Sequence, residues 1–314
     1  MQSDFESKMK SIVENALPFN RRTLLGGAGL FAIGAVNAAP TEPAMTTLPF
    51  AMTTPTRVAR IGLKARDADS LSAYYNRILG LEELSRAQRR ILLGAAGRPL
   101  LEIEESLSAK EDYPGSAGLY HTAFLLPSRR DLARWTRFAI DERIPVVGAS
   151  DHFVSEAIYL TDPEGNGVEI YADRPKESWN WNGDFVQMGT EQLDVRDLLA
   201  EIRDGGTWMG APEGSVIGHV HLRVGDAGAA ETWWNSEMGF DTVQSLGGSA
   251  VFLSTGGYHH HIGANSWQSR GAGPRDDQRT GLMWIELESE TAKAESEKHD
   301  PWGTAIRTVP VRRD

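Results

Sequence analysis

The sequence predicts an α+β fold of repeated βαβββ modules, four of them with the last truncated, forming paired curled mixed sheets with a metal-binding cleft. Two observations carry that expectation. A strand, a helix and a glycine stop recur at one constant offset, and a second pattern closes each time on a short apolar strand.

The first pattern begins at residue 57, where Arg-Val-Ala-Arg-Ile-Gly-Leu-Lys-Ala-Arg-Asp reads as a strand ending at Asp67. Residues 71–81 follow as an amphipathic helix. Leu71, Tyr74, Tyr75 and Ile78 share one face at helical spacing, and Gly80 ends it. Short strands are expected near 83–88, 90–93 and 99–104. From 216 the pattern returns: Val-Ile-Gly-His-Val-His-Leu-Arg-Val-Gly-Asp, then a helix over 230–240 with paired tryptophans. Asp67 matches Asp226, Tyr74 matches Trp233 and Gly80 matches Gly239.

The second pattern lies between. Residues 118–127 read as a strand, 129–143 as a helix, and 146–152 and 156–160 as strands. Thr161-Asp-Pro-Glu-Gly-Asn-Gly167 is a tight turn, and Val-Glu-Ile-Tyr at 168–171 closes the module. A shortened copy opens at 281–287 and closes over 300–308, with its helix and middle strands largely missing. The modules thus span about 56–110, 118–175, 215–268 and 280–314. A single unit cannot bury both faces of its sheet, so units must pair, and the cleft between them is where a ligand would sit. Taken in chain order, this predicts a leader over 1–53, a first domain over 54–178, a connector over 179–214 with one short helix near 195–202, and a second domain over 215–314.

Composition narrows the chemistry. The chain has 314 residues, enough for two globular domains, and a net charge of -11 that argues against a nucleic-acid partner. It contains no cysteine, which removes disulfides, thiolate metal sites and cysteine nucleophiles, so any metal must be held by His, Asp or Glu. No stretch is long and apolar enough to remain in a bilayer. Arg21-Arg22-Thr23-Leu24-Leu25, a small apolar run to Val36, and Val36-Asn37-Ala38 before Pro40 resemble a twin-arginine export signal. The expected location is therefore periplasmic, or cytoplasmic if translation starts at Met45 or Met52.

Four strings carry a family resemblance: Gly-Leu-Tyr-His at 118–121, the run 154–175, Ile-Gly-His-Val-His-Leu at 217–222, and Gly-Gly-Tyr-His-His-His-Ile-Gly at 256–263. With the modules, they resemble the vicinal oxygen chelate superfamily, which holds glyoxalase I, the bleomycin- and fosfomycin-resistance proteins and the extradiol dioxygenases. The strings are most similar to its catechol-2,3-dioxygenase branch. The resemblance implies metal ligands on the first and last strands of modules. First-strand positions are then Arg60, His121, His219 and Trp284, and last-strand positions fall near Glu102, Glu169, His261 and Arg307. Arg307 has no acceptor and cannot ligate. The metal set expected is His121, His219 and Glu169, two imidazoles and a carboxylate that leave three positions of an octahedral ion open, as Fe(II) oxygen chemistry requires. Mn(II) or Zn(II) would accept the same donors.

A lone histidine on an apolar strand is commonly a packed core residue, but two at matching positions of repeated modules are harder to explain that way. Glu169 lies on an apolar strand, where a charge is costly unless paired or on a metal. His221 shares a face with His219 and could orient or assist it. Strand alternation puts His259 and His261 on one face and His260 on the other, so that part of this cluster enters the cleft for proton transfer. His261 is the alternative last-strand ligand, and Tyr258 could donate to substrate. His152 and Tyr171 read as a loop histidine and a packing tyrosine. The resemblance implies extradiol cleavage of a catechol-like diol by dioxygen, in aromatic compound catabolism, with a glyoxalase-like isomerase or lyase and a metal-free drug-binding protein as rivals. The oligomeric state is left open. A complete ligand set requires modules two and three to share one site, or a dimer to complete it.

Overall fold

The computed structural model describes residues 48–311. The twin-arginine pattern and Met45 lie outside the described residues. Among them, no helix is long and apolar enough to cross a membrane.

The first module runs β1 (Thr56–Ala65), α1 (Ala68–Leu79), β2 (Glu82–Ala87), β3 (Arg90–Ala95) and β4 (Arg98–Glu105). The second runs β5 (Gly118–Leu125), α2 (Arg129–Asp141), β6 (Gly148–Asp151), β7 (Ser155–Thr161) and β8 (Gly167–Asp173). A connector holds three two-residue strands, β9 (Trp181–Asn182), β10 (Phe185–Val186) and β11 (Glu191–Gln192), and the short helix α3 (Val195–Ala200). The third module is β12 (Val216–Arg223), α4 (Ala227–Met238), β13 (Asp241–Ser245), β14 (Ala250–Ser254) and β15 (Ile262–Asn265). The fourth keeps β16 (Gly281–Ser289), β17 (Ser296–His299) and β18 (Ala305–Pro310) without a helix.

The matched aspartates explain why α1 and α4 each start three residues before the apolar pattern suggests. Asp67 accepts from the Ser70 N–H and Asp226 from the Ala229 N–H, so each helix opens at the residue after its cap. Gly80 and Gly239 end them in left-handed conformation, at φ 69° and 70°. The closing strand of module four starts at 305 rather than 300, because Asp300 Oδ1 accepts from the N–H of both Trp302 and Thr304 and curls that stretch into a turn.

Two mixed sheets result. One has the order β17-β18-β16-β1-β4-β3-β2, the other β11-β6-β7-β8-β5-β12-β15-β14-β13. Module one is therefore bonded to module four through antiparallel β1 and β16, and module two to module three through antiparallel β5 and β12. The pairing crosses the division into 54–178 and 215–314: each sheet takes one module from each half. β1 also lies against β12 and β16 against β5, which brings the sheets together along their central strands.

The chain also joins the fold earlier than residue 54. Phe50–Thr53 form a 3-10 turn whose Ala51 and Met52 are buried in a core cluster with Ala123, Leu125, Tyr171, Trp179 and Tyr258. Their apolar side chains are the cause, since they cover surface that would otherwise face water.

Trp135 on α2 is fully buried, and its indole N–H donates to the Ile78 carbonyl at 2.8 Å, which ties α2 to the last turn of α1. Replacing it with alanine should cost about 3–5 kcal/mol of unfolding free energy, the usual range for deleting a large buried aromatic. Urea titration of Trp135→Ala checks this; a loss below ~1 kcal/mol would show that the helix pair does not depend on it.

Candidate metal centre

The antiparallel register of β5 and β12 places His219 opposite Ala123 and His221 opposite His121, with bulges on either side. β8 runs parallel to β5 with Glu169 opposite Ala123. Glu169 therefore lies across one strand from His219, and His121 lies one step along the same face. Their donor atoms converge: His121 Nε2 is 2.9 Å from Glu169 Oε2, His219 Nε2 is 3.2 Å from that oxygen, and the two imidazole nitrogens are 3.3 Å apart. One chain suffices to assemble the set.

Three cis ligands of an octahedral ion held ~2.1 Å from each donor stand about 3.0 Å from one another, so the observed triangle fits such an ion. Hydrogen bonding alone accounts for it poorly. Both imidazoles can donate only to the same carboxylate oxygen, and the side-chain Nδ1 of His219 is buried with no partner. All three residues are buried, Glu169 and His219 at 2% exposure and His121 at 7%. Burial alone would raise the Glu169 carboxyl, but the imidazoles of His219 and His121 outweigh it and hold that carboxyl well below the ordinary range. Burial pushes the His219 imidazole down to about 4 against the opposing pull of Glu169. The resting state pairs an ionised Glu169 carboxylate with a neutral His219 imidazole, the protonation a divalent cation needs of those two donors.

Tyr159 and His152 stand beside this triangle. A hairpin folded about Glu164 pairs Tyr159 on β7 with Glu169 on β8, and the Tyr159 ring centroid is 5.7 Å from that of His121. The Gly189 carbonyl accepts from His152 Nδ1–H at 2.6 Å, which leaves Nε2 as the acceptor for the Tyr159 hydroxyl, also at 2.6 Å. Burial first, then Glu169, push the Tyr159 phenol well above its usual value, so it holds its proton. Tyr120 and Trp267 complete an aromatic rim, 5.5 Å apart and each within 6 Å of His221. Sequence reasoning misses Tyr159, although the 161–167 turn is the signal that would set it opposite Glu169; His152 as its partner has no such signal, because the Gly189 carbonyl comes from the connector.

His221 stands 5.0 Å from the His121 ring, and its Nε2 accepts from the Asn265 amide at 3.1 Å. It is arranged to pack against His121 and orient it. Register places Gly263, opposite His221, where β8 carries Glu169 opposite Ala123. A Cβ there would stand 2.8 Å from the His221 ring, so the space a last-strand ligand would need is taken by that imidazole.

The histidine run differs from the strand alternation expected of it. β15 begins at Ile262, and 258–261 form a loop. His261 turns away from the triangle: its Nε2–H is shared by the Ala51 carbonyl and Thr54 Oγ1, each at 3.1 Å, and Nδ1 faces the Thr255 N–H. Burial pushes its imidazole down to about 3. It neither ligates nor reaches the cleft, because both nitrogens are occupied by the segment before β1 and by its own loop. His260 is the one that approaches, its ring centroid 4.1 Å from that of His219. His259 stands behind it: Nε2–H donates to Asp173 Oδ1 at 2.9 Å, so Nδ1 is left to accept from His260 Nδ1–H at 2.8 Å. That tautomer leaves the Nε2 lone pair of His260 without a hydrogen-bond partner among the described residues. Tyr258 is fully buried, receives a hydrogen bond from Tyr171 at 2.8 Å and donates to Asp173 at 3.2 Å, which keeps its hydroxyl inside the protein rather than at the rim.

The other sheet lines the corresponding cleft with ion pairs and leaves a cavity of about 670 Å³ beside Arg60, Glu286 and Arg307. Arg60 grips Glu286 through two hydrogen bonds of 2.7 and 2.8 Å, with Glu102 3.9 Å away, and Arg60 and Arg307 both lie over Trp284. Among the described residues, His121, Glu169 and His219 are the one group with converging metal-ligand atoms.

Comparison with known proteins places the chain in a family. Residues 57–170 match the model of the Glyoxalase/Bleomycin resistance protein/Dioxygenase superfamily. The chain is 40% identical over 232 residues to the catechol-2,3-dioxygenase of Bacillus subtilis, across 72% of this chain and 80% of that protein. Among solved structures, the cppA protein of Streptococcus pneumoniae is similar at a TM-score of 0.51 and 12% identity, over 81% of this chain and 98% of that one. A mutant of glyoxalase I from Zea mays is similar at 0.50 and 11%, over 83% and 96%. At such identities these two speak for the fold alone. Together with the βαβββ modules and the curled sheets, the relative at 40% identity shows that the chain belongs to the glyoxalase/bleomycin resistance protein/dioxygenase superfamily, in its catechol-2,3-dioxygenase-like branch.

Proposed function

We propose that this protein is a metal-dependent extradiol dioxygenase that opens a catechol-like ring with dioxygen, with His121, His219 and Glu169 holding Fe(II). The observation that carries the reading is the buried triangle of two imidazole nitrogens and one carboxylate oxygen, none more than 3.3 Å from another. A divalent ion held by His121, His219 and Glu169 would supply Lewis acidity towards the diol and the means to activate dioxygen beside it. Both atoms of dioxygen end in the ring-opened product, so no external reductant is needed.

The chain's own residues supply binding and proton handling. A flat substrate enters between Tyr159, Tyr120 and Trp267, whose rings exclude water. The Tyr159 hydroxyl, backed by His152, is placed to hydrogen-bond a diol oxygen. Burial first, then His219 and His259, push the His260 imidazole well below its usual value, so it stands neutral with its Nε2 lone pair beside His219; it is placed to accept a diol proton, the charge then being met through His259 by Asp173. His221 orients His121. Tyr258 and His261 support the loop rather than touch substrate. The name of the Bacillus subtilis relative supports the same reaction class.

Anaerobically purified protein should contain about one iron per chain, and a His121→Ala, His219→Ala double variant should contain almost none. The loaded protein should turn catechol into the ring-opened product in air and give none under nitrogen. Product formed equally without oxygen would replace this reading with an isomerase or lyase, and absence of metal from the wild type would leave a binding protein. Tyr159→Phe should lower kcat by about tenfold, as loss of one hydrogen bond that orients the substrate does, while leaving bound iron unchanged. Steady-state kinetics beside metal analysis test this, and a kcat within threefold of wild type would remove Tyr159 from the chemistry.

A further inference from the structure

We propose that the segment 50–54 is a positioning strap: by docking Phe50 and Thr54 on the 255–261 loop, it sets where the His260 imidazole stands against His219.

The loop needs such support. Tyr258, His259 and His260 make no main-chain hydrogen bond among the described residues, so side chains hold them in place. The last residue of the run is anchored to the sheet, since the His261 N–H donates to the Leu253 carbonyl and its carbonyl accepts from Val220, both at 2.9 Å. The rest is clamped from the strap. Thr54 Oγ1–H is directed at the Ala51 and Thr56 carbonyls, at 3.0 and 3.1 Å, so that hydroxyl accepts from His261 Nε2–H. Thr255 and Thr56 bond each other twice, at 2.6 and 3.1 Å. A Cβ on Gly256 would stand 2.7 Å from the Pro55 ring, so strap and loop touch with no room between them. Phe50 lies 5.9 Å from the Tyr258 ring and 5.8 Å from Trp179, and Trp179 lies 5.1 Å from His259. His259 in turn holds His260. The metal-ligand candidates lie on β5, β8 and β12, where ladder hydrogen bonds hold their backbone independently of this loop. The strap therefore acts on the placement of the base and not on metal binding. Phe50 and Thr54 are positioning residues, since neither touches the cleft.

This inference rests on the reading of the centre as catalytic, but the placement of His260 can be measured without turnover. The probe is diethyl pyrocarbonate on the full metal-loaded chain, with each histidine followed by peptide mass spectrometry, in wild type, Phe50→Ala, Thr54→Val and Thr54→Ser. In Phe50→Ala and Thr54→Val, His260 should be acylated about fivefold faster than in wild type, as local opening of the loop predicts. Thr54→Ser keeps the hydroxyl and should stay within about twofold. Bound metal should not change, and kcat on catechol, measured well below the unfolding temperature, should fall about tenfold with KM nearly constant. If Phe50→Ala does not fold, the Thr54 pair decides. Unchanged His260 labelling in the folded variants overturns the strap. Faster labelling with kcat within about twofold of wild type overturns its link to the centre. A wild type that cleaves no diol but shows the labelling contrast removes the dioxygenase reading and leaves the strap standing.

Discussion

The antiparallel pairing of β5 with β12 is the constraint on which the rest of the site depends. It joins modules two and three edge to edge, so two histidines 98 residues apart in the chain become diagonal neighbours on one face. A slip of one residue would turn either histidine to the opposite face, because side chains alternate along a strand. The bulges flanking His219 and His221 re-aim those side chains within the ladder. Glu169 then needs only the parallel pairing of β8 with β5, which its own module enforces through the crossover helix α2.

Electrostatics explains why this cleft and its counterpart differ. A carboxylate as buried as Glu169 is tolerable only with cationic or hydrogen-bonding company, and the imidazoles of His121 and His219 supply part of it. A divalent ion would supply the rest. The sheet of modules one and four faces the same problem at equivalent positions and answers it with arginine. Arg60 neutralises Glu286 and Glu102, and the two guanidiniums cover Trp284. Guanidinium carries no lone pair for a metal, so that cleft is closed to such chemistry by its own ion pairs.

The histidine run shows how one short segment divides its work. His261 is pinned by the segment before β1, His259 by Asp173, and His260 is left facing His219. Three adjacent imidazoles thus meet three environments, and only the middle one keeps an unbonded nitrogen next to the centre. Tautomers follow from the partners: a carboxylate can only accept, which fixes the proton on His259 Nε2 and passes the donor role to His260 Nδ1.

The sequence by itself determined the modules, because strand and helix periodicity, the aspartate caps at 67 and 226 and the left-handed glycines at 80 and 239 are local features. The family resemblance of its motifs pointed to His121, His219 and Glu169 as the donors to watch, and matching positions in repeated units carry matching orientations. Which modules share a sheet was decided only in three dimensions. The order of modules along the chain does not say which edges meet, and module one in fact reaches past two others to bond module four. The roles within 258–261 were likewise invisible, because they depend on where β15 begins and on Ala51, Thr54 and Asp173, residues far away in the chain. Side-chain alternation holds only inside a strand, and this stretch is a loop whose rotamers are set by contacts that exist only after the sheets have closed.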